Sequence, residues 1–481
     1  GLKYRSYDLI GRLAPGVTPA AARDEVTGFF RRHAEPFMHS VRGVAHSLPR
    51  YILGDTKPAL IAFAAAAALL LLITCINVAN LLLVRGLARA RELAVRSALG
   101  ASRRELVGQL LVENALLALL GGVVGVGVAA AAVRVFVVFA PADLPRLGEI
   151  HVNAAALAGA VGITGLAMML FALAPAVVTS RVEFQQMLRS GVRHSAGRRS
   201  RLTTEVLVAG QLALALMVLS AAGLVARSLV RLQRADLAFD ASHLLVASLG
   251  IEMDRYSTAA SQNTLVQTIV ERLKATPGIV DVSPVVAEPF TQGWTTGQAR
   301  ADGQTPDQAV LNPVLEIELV TPGYFQTLGL PVVHGRAFTN ADRRGAPAVV
   351  MLSESAARHY WPAGDAIGKR LHMGSEKDPA ATVVGVVPDA RYRDLRDAKP
   401  SIYFPFAQSD FPFAPTNLVI RTRGEPAATV PAVRRAVADA ASGVLVSSAS
   451  PFDSYLEGPL SQPRFNALLL GVFATTAVAL A

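Results

Sequence analysis

An arginine-rich connector, RARELAVRSALGASRREL at residues 89–106, separates two apolar stretches of the chain. Five of its residues are arginines. Arg103 and Arg104 fall in the first turn of the helix that we predict to follow, where the helix macrodipole disfavours cations. Helix stability therefore does not account for these arginines. The connector indicates binding to an anionic surface, either lipid headgroups or an acidic groove on a partner.

The first part of the connector has the spacing of a short amphipathic helix. Arg91, Val95 and Leu99 recur at i, i+4 intervals and so lie on one helix face. A basic helix with one apolar face binds along a membrane surface. We therefore predict a distinct short helix at residues 89–100, lying parallel to the membrane.

Two further signals predict a sharp break after this helix. Gly100 suits the left-handed residue that closes a helix C-terminus. Ser102 and Glu105 match the S-x-x-E capping box that begins the next helix. On these residues alone, the connector is explained as a positively charged anchor on the cytoplasmic side of a membrane.

The segments around the connector have the composition of membrane spans. Hydrophobic residues make up 52% of the 481 residues, charged residues make up 17%, and the mean hydropathy is +0.39. A run of about 20 apolar residues crosses a bilayer as a helix. We predict five spans, the last of them incomplete, at residues 58–84, 114–133, 154–179, 206–226 and 465–481.

The distribution of arginine predicts the orientation of these spans. Residues 85–105 and 181–205 each carry six arginines against two glutamates, whereas residues 141–153 carry one arginine and two acids. The positive-inside rule places both arginine-rich loops in the cytoplasm. Parity then places residues 1–57 and 227–463 outside. Because the net charge of +10 lies beside apolar runs, we expect a lipid bilayer as partner and no nucleic acid.

The large outer segment is predicted to fold as a soluble α+β domain. Residues 243–251, 381–390 and 417–422 are β-branched runs bounded by turn residues. Residues 258–279 and 429–441 have apolar residues near the helical period. Since a strand–helix–strand order recurs, the segment predicts a split βαβ arrangement. The fold class is thus a membrane α-helical bundle plus an extracytoplasmic α+β domain.

A weak internal repeat is also present. Residues 8–30 have the pattern of a strand, a turn and a helix ahead of a span, and residues 417–441 have the same pattern ahead of another. The chain therefore resembles the end of one unit followed by most of a second.

No residues predict catalysis, a cofactor or a metal. The sequence holds no G-x-x-x-x-G-K-[ST] phosphate loop and no nucleophile-elbow motif. His33, His39 and His46 are spaced six and seven apart, which fits neither one helix face nor one strand face. The single cysteine, Cys75, lies in an apolar run, so no internal disulfide can form. We predict that the chain is not an enzyme.

Polar residues and glycines inside the spans are candidates for helix packing. Asn77 and Asn80 are three apart, near the inner end of the first span, where interhelical hydrogen bonds are expected and a transport path is the alternative. Gly121 and Gly125 form a G-x-x-x-G pattern that suits close helix contact. In the outer segment, seven aromatic residues could line a binding surface, although core packing is favoured: Tyr324, Phe325, Tyr360, Trp361, Tyr403, Phe404 and Phe406.

Several longer motifs resemble one transporter family. RELAVRSALGASRRELVGQLLVENALLALLGG, in the connector and second span, resembles the signature of FtsX-like permeases of macrolide-exporter-type (MacB-like) ABC transporters. VTPGYFQTLGLPVVHGRAFTNAD and VVGVVPDARYRDLRDAKPSIYFPF are similar to the periplasmic core domain of the same family. Two permease units without a nucleotide-binding domain resemble the duplicated orphan permeases.

This resemblance implies a domain organisation. Residues 1–57 would be the tail of a first outer domain, and residues 58–179 three spans with a cytoplasmic coupling helix at 89–100. Residues 180–205 would be a basic linker and residues 206–226 the first span of the second unit. The second outer domain would then occupy residues 227–463, and residues 464–481 would begin a further span.

The resemblance also implies a function. Such permeases act as mechanotransmitters in the bacterial cytoplasmic (inner) membrane, and a separate ATP-binding subunit would drive this one. The residues expected at the ATPase-coupling helix are Arg91, Glu92, Leu93, Val95, Arg96, Leu99 and Gly100. A periplasmic or envelope protein is a further possible partner. The alternative is a sensor or scaffold without transport, whose outer domain binds a ligand or an envelope partner.

Overall fold

The computed structural model describes residues 10–33, 45, 47–48, 56–99, 103–139, 150–151, 153–155, 157–162, 196–252, 255–291, 296–309, 311–373, 380–409, 414–441 and 443–481. The chain divides into two units. Residues 1–47 and 231–460 form the first, here called the sheet unit. Residues 48–230 and 461–481 form the second, here called the helical unit.

The described helices are numbered in chain order. They are α1 (Pro19–His33), α2 (Thr56–Ala98), α3 (Arg103–Phe139), α4 (Ala196–Gln233), α5 (Ala259–Lys274), α6 (Pro306–Ala309), α7 (Tyr324–Leu328), α8 (Glu354–Tyr360), α9 (Pro426–Ala440) and α10 (Phe452–Leu480). A 3₁₀ turn lies between α8 and α9, at Phe406–Gln408.

The described strands form one mixed sheet. They are β1 (Leu244–Ile251), β2 (Ile279–Val285), β3 (Thr296–Gly297), β4 (Ala299–Ala301), β5 (Leu315–Val320), β6 (His334–Gly335), β7 (Val349–Ser353), β8 (Arg370–Met373), β9 (Ala381–Val387), β10 (Ser401–Pro405), β11 (Asn417–Thr422) and β12 (Val444–Pro451). Their order is β12-β1-β11-β2-β5-β10-β7-β9-β8-β4, while β3 pairs with β5 and β6 with β9.

Four helices contain segments that are long and apolar enough to cross a membrane. These segments are Lys57–Leu81, Leu119–Phe139, Glu205–Gln233 and Phe452–Leu480. Four of the five predicted spans are therefore confirmed as apolar helices. The remaining predicted span, residues 154–179, lies mostly outside the described residues, although residues 157–162 are helical.

Two predicted helix boundaries are wrong. Residues 89–98 do not form a separate helix, because α2 continues without interruption from Thr56 to Ala98. Arginine, leucine, alanine and glutamate all have high helix propensity, so the change from apolar to basic residues does not break the helix. Helix α10 begins at Phe452 instead of Phe465. The predicted basic linker at residues 180–205 is described only from Ala196, where α4 begins.

The predicted break after the connector is present. Helix α2 ends at Ala98 and α3 begins at Arg103, so the chain leaves the helix at the predicted place. Gly100 and Ser102, to which the break was attributed, lie outside the described residues. In the N-terminal segment, residues 10–14 are not in a strand, whereas the predicted helix is present as α1.

The outer half of the sheet confirms the predicted split βαβ arrangement. Strands β1 and β2 are joined by α5 and separated in the sheet by the antiparallel β11. Strands β11 and β12 are joined by α9, and β1 lies between them. One buried core packs α5 and α9 against these strands, with Ile269, Leu418 and Val433 at 0% exposure.

Residues 286–416 form an inserted half between β2 and β11. They carry β3 to β10 and α6 to α8, and they extend the same sheet beyond β2. One buried cluster in this half contains Val350, Leu352 and Ile402, each fully buried. A second cluster joins the inserted half to β1, β11 and the first residue of α10.

Candidate coupling site

The end of α2 presents two apolar side chains to solvent. Val95 is 56% exposed and Leu99, in the turn after the helix, is 82% exposed. The Leu99 N–H donates to the Val95 carbonyl at 3.0 Å, so the two residues are one helical turn apart. Arg96 is also exposed beside them. This arrangement offers an apolar contact with adjacent positive charge.

The other predicted members of this surface are only partly described. Arg91, Glu92 and Leu93 lie within α2, but their side chains are outside the described residues. Gly100 is also outside them. Because α2 has 43 residues, at 1.5 Å per residue it is about 65 Å long. The exposed Val95 and Leu99 therefore lie at one end of the same rigid element that carries a predicted span.

Helices α2, α4 and α10 share one buried core in the helical unit. Ile73, Val218 and Ala477 are at most 2% exposed. Small side chains dominate this core, and small residues permit the close backbone approach on which helix association in membranes depends. The Phe63 and Phe473 rings meet edge to face with centroids 6.5 Å apart.

Two amide side chains hydrogen-bond within this helix group. Asn77 of α2 donates through Nδ2 to the Leu480 carbonyl at 2.6 Å. Gln211 of α4 donates through Nε2 to the same carbonyl at 2.5 Å and is 4% exposed. The buried Asn80 Oδ1 accepts no hydrogen bond from the described residues. Asn77 thus makes an interhelical hydrogen bond of the predicted kind.

Gln211 was not singled out from the sequence, although a signal was present. It is the one amide in the uncharged, mostly apolar run at residues 206–226. A buried polar side chain at that position needs a partner, and an adjacent helix supplies it.

The close helix contact predicted at Gly121 and Gly125 is not found among the described residues. A methyl group placed on Gly121 or Gly125 would meet no heavy atom of the described residues within 4 Å. Within that part of the chain, these two glycines of α3 do not approach another helix closely. The contact seen from α3 is aromatic, with the Phe136 and Phe465 rings 5.1 Å apart.

The aromatic residues of the sheet unit lie mainly in the core. Tyr324, Phe325, Tyr360 and Tyr403 are all at most 7% exposed. Tyr324 and Phe325 contact the Tyr403 ring at 6.4 and 5.1 Å. Core packing therefore accounts for them better than a binding surface does.

A buried ion pair lies beside these aromatic residues. Arg393 and Glu318 have side chains that are 7% and 10% exposed, and the guanidinium contacts both carboxylate oxygens. Burial raises the pKa of the Glu318 carboxyl, and the charge of Arg393 opposes that rise. Burial also raises the pKa of the Tyr403 hydroxyl beside them. Sequence reasoning missed this pair because its members are distant in the chain.

Two protein families match the chain. The model described as "MacB-like periplasmic core domain" matches residues 206–440, and that described as "FtsX-like permease C-terminal" matches residues 64–184. The first covers most of α4 and most of the sheet unit, and the second covers most of α2 and all of α3. By these matches, residues 64–184 and 206–440 are similar to ABC transporter permeases of the MacB/FtsX type.

Curated relatives support the same assignment. Over 175 residues the chain is 27% identical to the macrolide export ATP-binding/permease protein MacB 2 of Aeromonas hydrophila, covering 36% of this chain and 26% of that protein. Over 62 residues it is 42% identical to the uncharacterized ABC transporter permease YknZ of Bacillus subtilis, covering 13% and 16%. The chain thus spans about a quarter or less of the length of these relatives.

Two solved structures are similar to parts of the chain. One is the periplasmic region of MacB from Actinobacillus actinomycetemcomitans, with 14% identity, a TM-score of 0.32, and coverage of 46% of this chain and 94% of that one. The other is the extracellular domain of YknZ from Gram-positive bacteria, with 16% identity, a TM-score of 0.28, and coverage of 42% and 100%.

Proposed function

We propose that the chain is the permease subunit of an ABC-type transporter and that it acts as a mechanotransmitter. In this proposal a separate ATP-binding subunit docks at the end of α2 and changes the position of that helix. The movement passes through the helical unit to the sheet unit, where extracytoplasmic work or export is performed. The supporting observation is the exposed pair of Val95 and Leu99 at the end of a continuous helix.

The packing of the helical unit supports a path for this movement. Helix α2 shares a buried core with α4 and α10, so a shift of α2 displaces atoms that both helices contact. Close-packed interiors transmit such displacements because they contain few voids. Helices α4 and α10 each continue into the sheet unit, at residues 231–233 and 452–460.

The charge pattern supports the orientation. The arginine-rich segments before α3 and around the start of α4 would face the cytoplasm, where the ATP-binding subunit is found. The helical unit would then lie in the inner membrane of a bacterium, and the sheet unit would be extracytoplasmic.

The docking surface can be tested by one substitution in the full-length protein. Leu99→Asp places a charge in the apolar contact, where burying an unpaired carboxylate is costly. We expect at least a tenfold loss of the ATP-binding subunit that co-purifies with the tagged protein from native membranes, since about 1.4 kcal/mol corresponds to a factor of ten. The measurement is quantitative mass spectrometry together with ATP hydrolysis by the purified complex.

Leu311→Asp is the matched control. Leu311 is 80% exposed, nearly as much as Leu99, but lies in the inserted half of the sheet unit. It should retain the ATP-binding subunit at the level of the unaltered protein. Equal recovery with Leu99→Asp would contradict docking at α2. Purification of the unaltered protein without any ATPase would favour the sensor or scaffold alternative.

A further inference from the structure

A turn of the inserted half holds the chain segment that follows α4. The Arg391 N–H donates to the Leu237 carbonyl at 3.2 Å, and its Nε donates to the Asp236 carbonyl at 3.1 Å. Its Nη1 donates to the carbonyls of Leu395 and Arg396 in its own turn. Arg391 therefore fixes the backbone just after α4 to the turn at residues 390–396.

The next residue in the chain contacts the attachment points of both helices. The Tyr392 ring lies 6.4 Å from Phe239, which follows α4, and 6.5 Å from Phe452, the first residue of α10. Phe239 and Phe452 also meet each other at 5.3 Å. Tyr392 and Phe452 are 4% and 1% exposed, so this contact is closed to solvent.

The third residue, Arg393, connects the contact of Tyr392 with Phe239 and Phe452 to the sheet. Besides its ion pair with Glu318 of β5, Arg393 donates through Nη1 to the Glu288 carbonyl at 2.8 Å. The Glu288 carboxylate accepts from the Ser248 hydroxyl of β1. Buried charges hold a fixed geometry only when they are paired and hydrogen-bonded. Arg393 and Glu318 are both paired and hydrogen-bonded. Arg393 thus joins β5 and the segment after β2.

We infer that residues 391–393, the RYR tripeptide, are the positioning element through which α4 and α10 carry the sheet unit as one body. Three consecutive side chains reach three different elements: the segment after α4, the start of α10, and β5 of the inserted half. This inference rests on the proposed function, because only a chain that transmits movement needs both helices joined to the same rigid body. Without the tripeptide, the segment after α4 moves independently of the inserted half.

The test measures rigidity without any ATPase. Cys75→Ser removes the one cysteine of these 481 residues, and spin labels are attached at Arg234→Cys and Ala363→Cys, both of which are exposed positions. Double electron–electron resonance then gives the distribution of distances between the end of α4 and the inserted half. The unaltered tripeptide should give one narrow distribution, and Arg391→Ala should roughly double its width.

Two further variants separate positioning from folding. Arg336→Ala removes a guanidinium of the same inserted half that hydrogen-bonds Asp342 at 2.8 Å, and it should leave the width unchanged. Tyr392→Leu, which keeps an apolar side chain but loses the ring contacts, should broaden the distribution as Arg391→Ala does. Thermal unfolding of each variant shows that the sheet unit is folded.

The outcomes are distinct from those of the proposed function. If the distance distribution keeps its width in folded Arg391→Ala and Tyr392→Leu, the role of the tripeptide is overturned. This holds whether or not nucleotide changes the structure. Broadening in both would support it. If the unaltered protein shows no response to an ATP-binding subunit and nucleotide, the proposed function fails, whereas the width measurement stands on its own.

Discussion

Helices α4 and α10 both enter the sheet unit, but they are attached in different ways. Helix α4 ends at Gln233, and the segment after it is held by hydrogen bonds from Arg391 and by the buried Phe239. Helix α10 starts inside the core, because Phe452 is 1% exposed. For α4 the attachment is a non-helical segment that contains turns, whereas for α10 it is the helix itself.

The two helices also differ in their backbones. Helix α4 contains no proline, while α10 contains Pro459 and Pro463. Proline lacks the N–H that donates to the residue four earlier, so the carbonyls of Tyr455 and Pro459 lose their helical donors. The division between the sheet and helical units in α10 falls between these two prolines, after Leu460. Helix α10 is therefore buried at its first residue but lacks two helical hydrogen bonds further along. Helix α4 contains no proline, but it is joined to the core through the segment that follows it.

The largest expected effect is on the anchor of α10. Phe452→Ala removes a buried ring that contacts Phe239, Phe290 and Tyr392. Truncation of a buried phenylalanine costs about 3–5 kcal/mol of unfolding free energy. We expect a loss of that size in denaturant unfolding of the sheet unit, followed by tryptophan fluorescence in the full-length protein.

An exposed residue of the adjacent strand provides the control for this loss. Leu445 of β12 is 75% exposed, and Leu445→Ala should change the unfolding free energy by less than about 0.5 kcal/mol. Equal losses in the two variants would mean that α10 is not anchored through its first residue.

A smaller effect is expected at the prolines. Each proline in a helix interior is about 3 kcal/mol less favourable than alanine, so Pro459→Ala with Pro463→Ala should strengthen α10 locally. We expect amide hydrogen exchange across residues 455–465 to slow by about tenfold or more, since about 1.4 kcal/mol gives a factor of ten.

The matched control for the prolines is at the start of another helix. Pro426 occupies the first turn of α9, where proline is tolerated because its missing N–H has no helical partner. Pro426→Ala should leave exchange in α9 nearly unchanged. If exchange in α10 is equally slow with and without its prolines, the difference between α4 and α10 lies elsewhere.

Local patterns in the sequence predicted much of this fold. The strands β1, β9 and β11 and the helices α5 and α9 follow from alternation, helical period and turn residues. The split βαβ order follows from their succession along the chain. The apolar spans follow from length alone, because about 20 residues are needed to cross a bilayer.

The errors come from interactions that local patterns do not contain. The short helix at residues 89–100 was expected because its basic, amphipathic spacing differs from the apolar span before it, yet helix propensity carries α2 through the connector. Helix α10 was expected to start at Phe465 because the uncharged apolar run begins after Arg464. Burial of Phe452 in the core favours an earlier start.

The functional residues also differ in how far the sequence could predict them. Val95 and Leu99 could be found because they lie one turn apart in one helix. The RYR tripeptide could not, because Arg391 contacts Asp236 across 155 positions of the chain and Arg393 contacts Glu318 across 75. No periodicity relates residues at such separations, and an alternation of arginine and tyrosine is also found on solvated surfaces.

In the proposed function, binding of the ATP-binding subunit at the end of α2 moves the sheet unit. The most direct measurement is the distance between spin labels at Val138→Cys in α3 and Ala363→Cys in the inserted half, in the Cys75→Ser protein reconstituted with its ATP-binding subunit. We expect a non-hydrolysable ATP analogue to shift this distance, and Leu99→Asp to abolish the shift. The same distance with and without the analogue, in a complex that binds nucleotide, would contradict the proposed function.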